Sequence, residues 1–129
     1  DSYSEGSVTG ASYVGGLIGQ IYGGSVSASH SEGSVTGGSF VGGLVGYGRS
    51  THVKNSYSEG SVTGTRDYIG GLVGYGSSVT SSYHVGDVGG SNLVGGLIGY
   101  ASGTVKTSHS EGSVIGIYQV VVLLVELME

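Results

Sequence analysis

The feature that most restricts this chain is an octapeptide that keeps returning. Tyr3-Ser-Glu-Gly-Ser-Val-Thr-Gly10 comes back at 30–37 (HSEGSVTG), 57–64 (YSEGSVTG), 83–90 (YHVGDVGG) and 109–116 (HSEGSVIG). Successive copies start 27, 27, 26 and 26 residues apart. Between them lies a second motif, VGGLIG at 14–19, VGGLVG at 41–46, IGGLVG at 69–74 and VGGLIG at 94–99. A fixed period of this length is the mark of a repeat architecture. A unit of ~27 residues cannot bury its apolar residues alone, so the copies must stack on one another.

Each unit holds short β-type pieces separated by Gly or Ser pairs, with no helical periodicity of useful length. We therefore expect an all-β chain, a single parallel β-solenoid (β-helix) of about five coils with 26–27 residues per coil. Equivalent residues then lie ~4.8 Å apart along the axis, and five coils make a core ~24 Å long. The inward columns are expected to be Val8/35/62/88/114, Leu17/44/72/97/123 and Ile18/Val45/Val73/Ile98/Leu124. Alternation within the octapeptide then turns Glu5, Ser7 and Thr9 outward, as one strand. In VGGLIG the glycines permit tight corners or a close approach of two backbones.

The tail IYQVVVLLVELME looks like a break in the pattern, but the register runs through it. Val14 follows Gly10 by four residues and Val120 follows Gly116 by four, so Val120–Val125 lies over VGGLIG with valine at each glycine position. We divide the chain into repeats over 1–116 and a degenerate terminal repeat strand over 117–129. That strand either caps the open sheet edge or serves as an association strand for a neighbour; a capping helix is the alternative. The chain opens at Asp1 inside a repeat, without methionine or signal peptide, which leads us to expect a processed or excised piece of something longer.

Gly16-Leu-Ile-Gly19, Gly43-Leu-Val-Gly46, Gly71-Leu-Val-Gly74 and Gly96-Leu-Ile-Gly99 resemble the GLUG repeat through about residue 116. This repeat is found in large bacterial cell-surface and secreted proteins, including adhesin-like proteins and the non-catalytic parts of immunoglobulin-A peptidases. The resemblance implies an extracellular or bacterial cell-surface location and a repetitive scaffold. It implies no particular ligand and supplies no catalytic residues.

The remaining composition narrows function by exclusion. Nine acids against four scattered bases give a net charge of −5, which leaves no electrostatic footprint for nucleic acid. No run approaches the ~20 apolar residues of a membrane span. With no cysteine, disulfides, thiolate metal sites and cysteine nucleophiles are ruled out. Glu5, Glu32, Glu59 and Glu111 are copies facing one way, so they read as a solvated charge column and not as an acid/base pair. His30 and His109 alternate with Tyr3, Tyr57 and Tyr83 in one column, while His52 and His84 fall elsewhere; this is no convergent zinc set. No hydrolase, nucleotide-loop, HExxH or EF-hand motif occurs, and we expect no catalytic residues, metal or cofactor.

Two columns remain as candidate binding surfaces. Tyr47, Tyr75 and Tyr100 follow the GLUG motif, with Gln20 and Glu126 at the ends of their column, and offer an aromatic ladder to sugar rings or a protein. Ser7/Thr9, Ser34/Thr36 and Ser61/Thr63 would make two hydroxyl columns ~6.7 Å apart laterally and ~4.8 Å apart axially. That array is similar to the ice-binding faces of solenoid antifreeze proteins, although the glutamates in the same strand suit ice badly. The leading expectation is an extracellular structural or adhesive repeat segment that self-associates through its ends into fibres or takes a surface glycan or protein ligand. Ice binding through the Ser-x-Thr face is the alternative, and a non-catalytic scaffold fragment of a large surface peptidase is the third.

Overall fold

The computed structural model describes residues 1–118 and the strand Val120–Val121. Its strands fall into five sheets, each built from one strand per repeat, and every pairing among the described residues is parallel. Sheet one contains Tyr3–Glu5, His30–Glu32, Tyr57–Glu59, Tyr83–Val85 and His109–Glu111. Sheet two contains Val8–Thr9, Val35–Gly37, Val62–Gly64, Val88–Gly89 and Val114–Ile115. Sheet three runs through Ser12–Gly15, Ser39–Gly42, Asp67–Gly70, Asn92–Gly95 and Val120–Val121. Sheets four and five have four strands each, starting with Ile18–Tyr22 and Ser25–Ser27. The chain is thus an all-β parallel solenoid of four complete turns with a fifth begun.

Register follows the sequence columns. Tyr3 lies over His30, Glu5 over Glu32, and Val8 over Val35. In the last turn Val120 pairs with Val94 and Val121 with Gly95. The rest of the tail, Leu123 and Leu124 included, lies outside the described residues. No helix among the described residues is long and apolar enough to cross a membrane.

Among the described residues the expected inward columns are buried in the middle coils and half-buried in the first and fifth. Val35, Val62 and Val88 are buried, as are Leu44, Leu72, Leu97, Val45 and Val73. Burial of each such side chain contributes roughly 1.5–3 kcal/mol. The core, however, is divided in two. One apolar cluster joins sheets four and five, around Leu44, Leu72, Val53 and Val79. The other joins sheets two and three, around Val35, Val62, Val41 and Ile69. Between them sheet one turns Ser31, Ser58 and His84 inward, all buried, and the backbone of Gly43 and Gly71 closes on them. A Cβ on Gly43 would stand 2.6 Å from Ser58 Oγ, and one on Gly71 would overlap the His84 ring. Here glycine lets the cross-section narrow to a polar waist.

A second buried polar column sits at the corner between sheets five and one. The Ser29 amide donates to Ser56 Oγ (3.2 Å), the Ser56 amide to Ser82 Oγ (3.2 Å) and the Ser82 amide to Ser108 Oγ (3.1 Å). Each of these hydroxyls donates in turn to the carbonyl two residues earlier, as Ser56 does to Lys54 at 2.9 Å. The ladder satisfies corner amides that no sheet serves, where an unmet buried donor would cost about 1–3 kcal/mol. Each serine follows a residue in the left-handed region, Ala28, Asn55, Ser81 or Thr107, with φ of 50–54°.

Candidate functional site

Within each coil, sheets three and four fold back to back. A Cβ on Gly46 would lie 2.7 Å from the Phe40 carbonyl and 2.8 Å from the Val14 amide, and one on Gly42 would lie 2.7 Å from the Gly74 amide. With no side chain between the two backbones, residues at their rims are brought to the same edge. Tyr47, Tyr75 and Tyr100 reach it from sheet four, in register. Tyr13, Phe40 and Tyr68 reach it from sheet three.

The result is one continuous aromatic face. Tyr13, Phe40 and Tyr68 stack at 4.9 and 4.8 Å, within 6° of parallel. Tyr47 and Tyr75 lie 5.0 Å apart, and Tyr75 and Tyr100 4.9 Å apart. The two columns interlock edge to face: Tyr13 with Tyr47 at 5.6 Å and 89°, and Tyr68 with Tyr75 at 5.6 Å and 70°. Tyr22 extends the face against Tyr47 at 5.8 Å, and Gln20 Nε2 donates to its hydroxyl at 2.7 Å. Ring separations near 4.9 Å exceed van der Waals contact of ~3.5–4.0 Å between carbons. The parallel rings are therefore offset like shingles, the arrangement aromatic quadrupoles prefer, and part of each ring faces outward.

The sheet-three column carries backbone strain. Tyr13, Phe40, Tyr68 and Leu93 have φ of 55°, 56°, 64° and 54°, a region that costs a bulky residue about 1–3 kcal/mol and gathers at functional sites. The face is built of tyrosine and phenylalanine rings, with no acidic or basic side chain among the six stacked residues. The sequence columns point to Tyr47, Tyr75 and Tyr100 but not to Tyr13, Phe40 and Tyr68. The signal for these three is an aromatic residue directly before the valine or isoleucine of three GLUG motifs.

The hydroxyl candidates are also placed. Ser7, Thr9, Ser34, Thr36, Ser61 and Thr63 are all exposed, and Thr9, Thr36 and Thr63 stand in register on sheet two. Gly89 and Ile115 continue that column. One expectation needs correction: the glutamates do not share the strand of the hydroxyls. Gly6, Gly33 and Gly60, with φ of 109–124°, turn a corner after each glutamate, so sheet one ends at Glu5 and sheet two starts at Val8. The charge lies round the corner from the threonines because glycine alone tolerates that backbone.

Sheet one bears a third ladder on its outer side. Tyr3, His30, Tyr57, Tyr83 and His109 follow one another at 5.2, 4.7, 5.0 and 5.3 Å. The Tyr57 phenol is raised above its ordinary pKa, first by partial loss of water in the stack and then by the Glu32 carboxylate. Among the described residues no group of three or more His, Cys, Asp or Glu is arranged to hold a metal.

The family model of the GLUG motif matches residues 10–36 and 37–63. Each match is 27 residues long, one turn of the solenoid, and runs from the last residue of one octapeptide through the threonine of the next. No curated protein and no solved structure matches the chain.

Proposed function

Since the chain is a GLUG-repeat protein, we propose that it is an extracellular structural and adhesive repeat segment whose contact surface is the fused aromatic face of sheets three and four. The observation that supports this is the interlocking of two aromatic ring columns held in register by parallel sheets. Preorganised aromatics lose little freedom on binding, and tyrosine couples a broad apolar area to a hydroxyl tip. A neutral glycan chain or an uncharged protein segment fits that chemistry. The test is binding to a panel of glycans and insoluble polysaccharides, comparing the parent with Tyr47→Ala and Tyr75→Ala. A loss of tenfold or more with the fold intact by circular dichroism supports the reading; a panel with no binder, or binding indifferent to both changes, overturns it.

Ice binding through the hydroxyl face is the second reading, supported by the three exposed threonines in register and by the corner that removes the glutamates from their strand. Thermal hysteresis abolished by Thr36→Tyr would establish it. Its absence at high protein concentration would end it.

A further inference from the structure

We propose that His84 makes the junction between the third and fourth coils an acid-labile joint, which lets the fourth and fifth coils detach while the earlier coils stay stacked. Sheet one sends one residue per coil into the waist, namely Ser4, Ser31, Ser58, His84 and Ser110, and histidine replaces serine only there. The His84 side chain is fully buried. Its Nδ1 lies 2.8 Å from Ser58 Oγ, on the third coil. Ser58 Oγ also donates to the Gly71 carbonyl at 2.8 Å. With its one proton so used, the serine oxygen accepts from Nδ1–H, and Nε2 is left as a bare acceptor. Among the described residues that Nε2 has no hydrogen-bond partner, and the ring lies in a place too tight for a Cβ on Gly71.

Protonating such a ring puts a charge where water cannot follow. Ser58 faces it from the third coil, Gly71 from the waist and Ser110 from the fifth coil, none of them charged; Glu59 and Glu111 are turned outward. Asp87, in its own coil, is the charged group among the described residues that acts on it. Burial lowers the His84 pKa from 6.5 to about 4, against the pull of the Gly86 and Ser58 backbone and of Asp87. The depressed value fixes the sign: the detached form takes up the proton more readily, so docking is fully stable above pH ~6.5 and weakens progressively as pH falls toward ~4. Because a repeat array is held by nearest-neighbour interfaces, the loss falls on one junction.

Hydrogen exchange read by mass spectrometry tests this on the full chain. Between pH 7 and about pH 4.5, protection factors over 83–106 should fall on the order of fifty-fold, while those over 30–54 change far less. His84→Ser, which restores the residue of the other coils, should remove most of that difference, and so should the non-titrating His84→Gln. Equal loss of protection in all coils, or an undiminished selective loss in both variants, would overturn the proposal.

Discussion

Phe40 and Tyr47 meet edge to face, with ring centroids 5.2 Å apart and planes at 88°. Six residues separate them in the chain, yet the contact joins two sheets. The aromatic face is a unit because of such crossings. In a double-mutant cycle, Phe40→Leu and Tyr47→Leu should couple by about 0.5–1.5 kcal/mol. Additive effects on urea midpoints would show that the columns are energetically separate.

The corner glycines offer a comparison within one column. Gly6 and Gly60 share a left-handed φ, 109° and 123°, but a Cβ on Gly6 meets nothing within 4 Å, while one on Gly60 would overlap the Gly33 carbonyl. Gly6→Ala should cost about 1–2 kcal/mol in backbone strain alone. Gly60→Ala adds the clash between coils and should cost at least about 3 kcal/mol. Equal losses in thermal melts would mean that strain alone dictates glycine there.

The Ser56 hydroxyl serves two bonds, accepting from the buried Ser29 amide and donating to the Lys54 carbonyl. Ser56→Ala should lower stability by about 1–3 kcal/mol, because the Ser29 amide loses its acceptor. A change below about 0.5 kcal/mol in denaturant unfolding would show that the ladder adds little.

Val85 stands between Glu59 and Glu111 in a column otherwise acidic. Val85→Glu would set like charges ~4.8 Å apart on neighbouring parallel strands. The variant should lose about 0.5 kcal/mol at low salt and recover it when salt is raised, since exposed charges are screened. Insensitivity of its melting temperature to salt would contradict the picture.

The octapeptide fixes Val8, Val35 and Val62 inside because alternation and stacking both demand it, and the structure agrees. Tyr47 and Tyr75 were legible for the same reason: a column repeats in the chain. Their partners were hidden, because Phe40 reaches Tyr47 only after sheets three and four close on their glycines, which depends on non-local backbone contact. A serine precedes each octapeptide from the first coil to the fifth, as Ser2, Ser29, Ser56, Ser82 and Ser108 show, but the inward turn of Ser56 follows from left-handed Asn55, a position with no glycine to announce it. His84 lies over Ser58 in the alignment of the octapeptides. Its burial follows from that column, whose members turn inward only because the backbone of Gly43 and Gly71 closes on them.

The serine ladder has one further consequence. All its amide donors point from the earlier coil to the later one, from Ser29 to Ser56 to Ser82 to Ser108. The ladder therefore has a direction along the axis, with unlike groups facing up and down it. Two copies meeting tip to tip would set matching groups against each other, so an extension that continues the ladder must be head to tail. Such a contact would repeat in one sense, so any thread it built would have a single direction of travel in place of a symmetric pair.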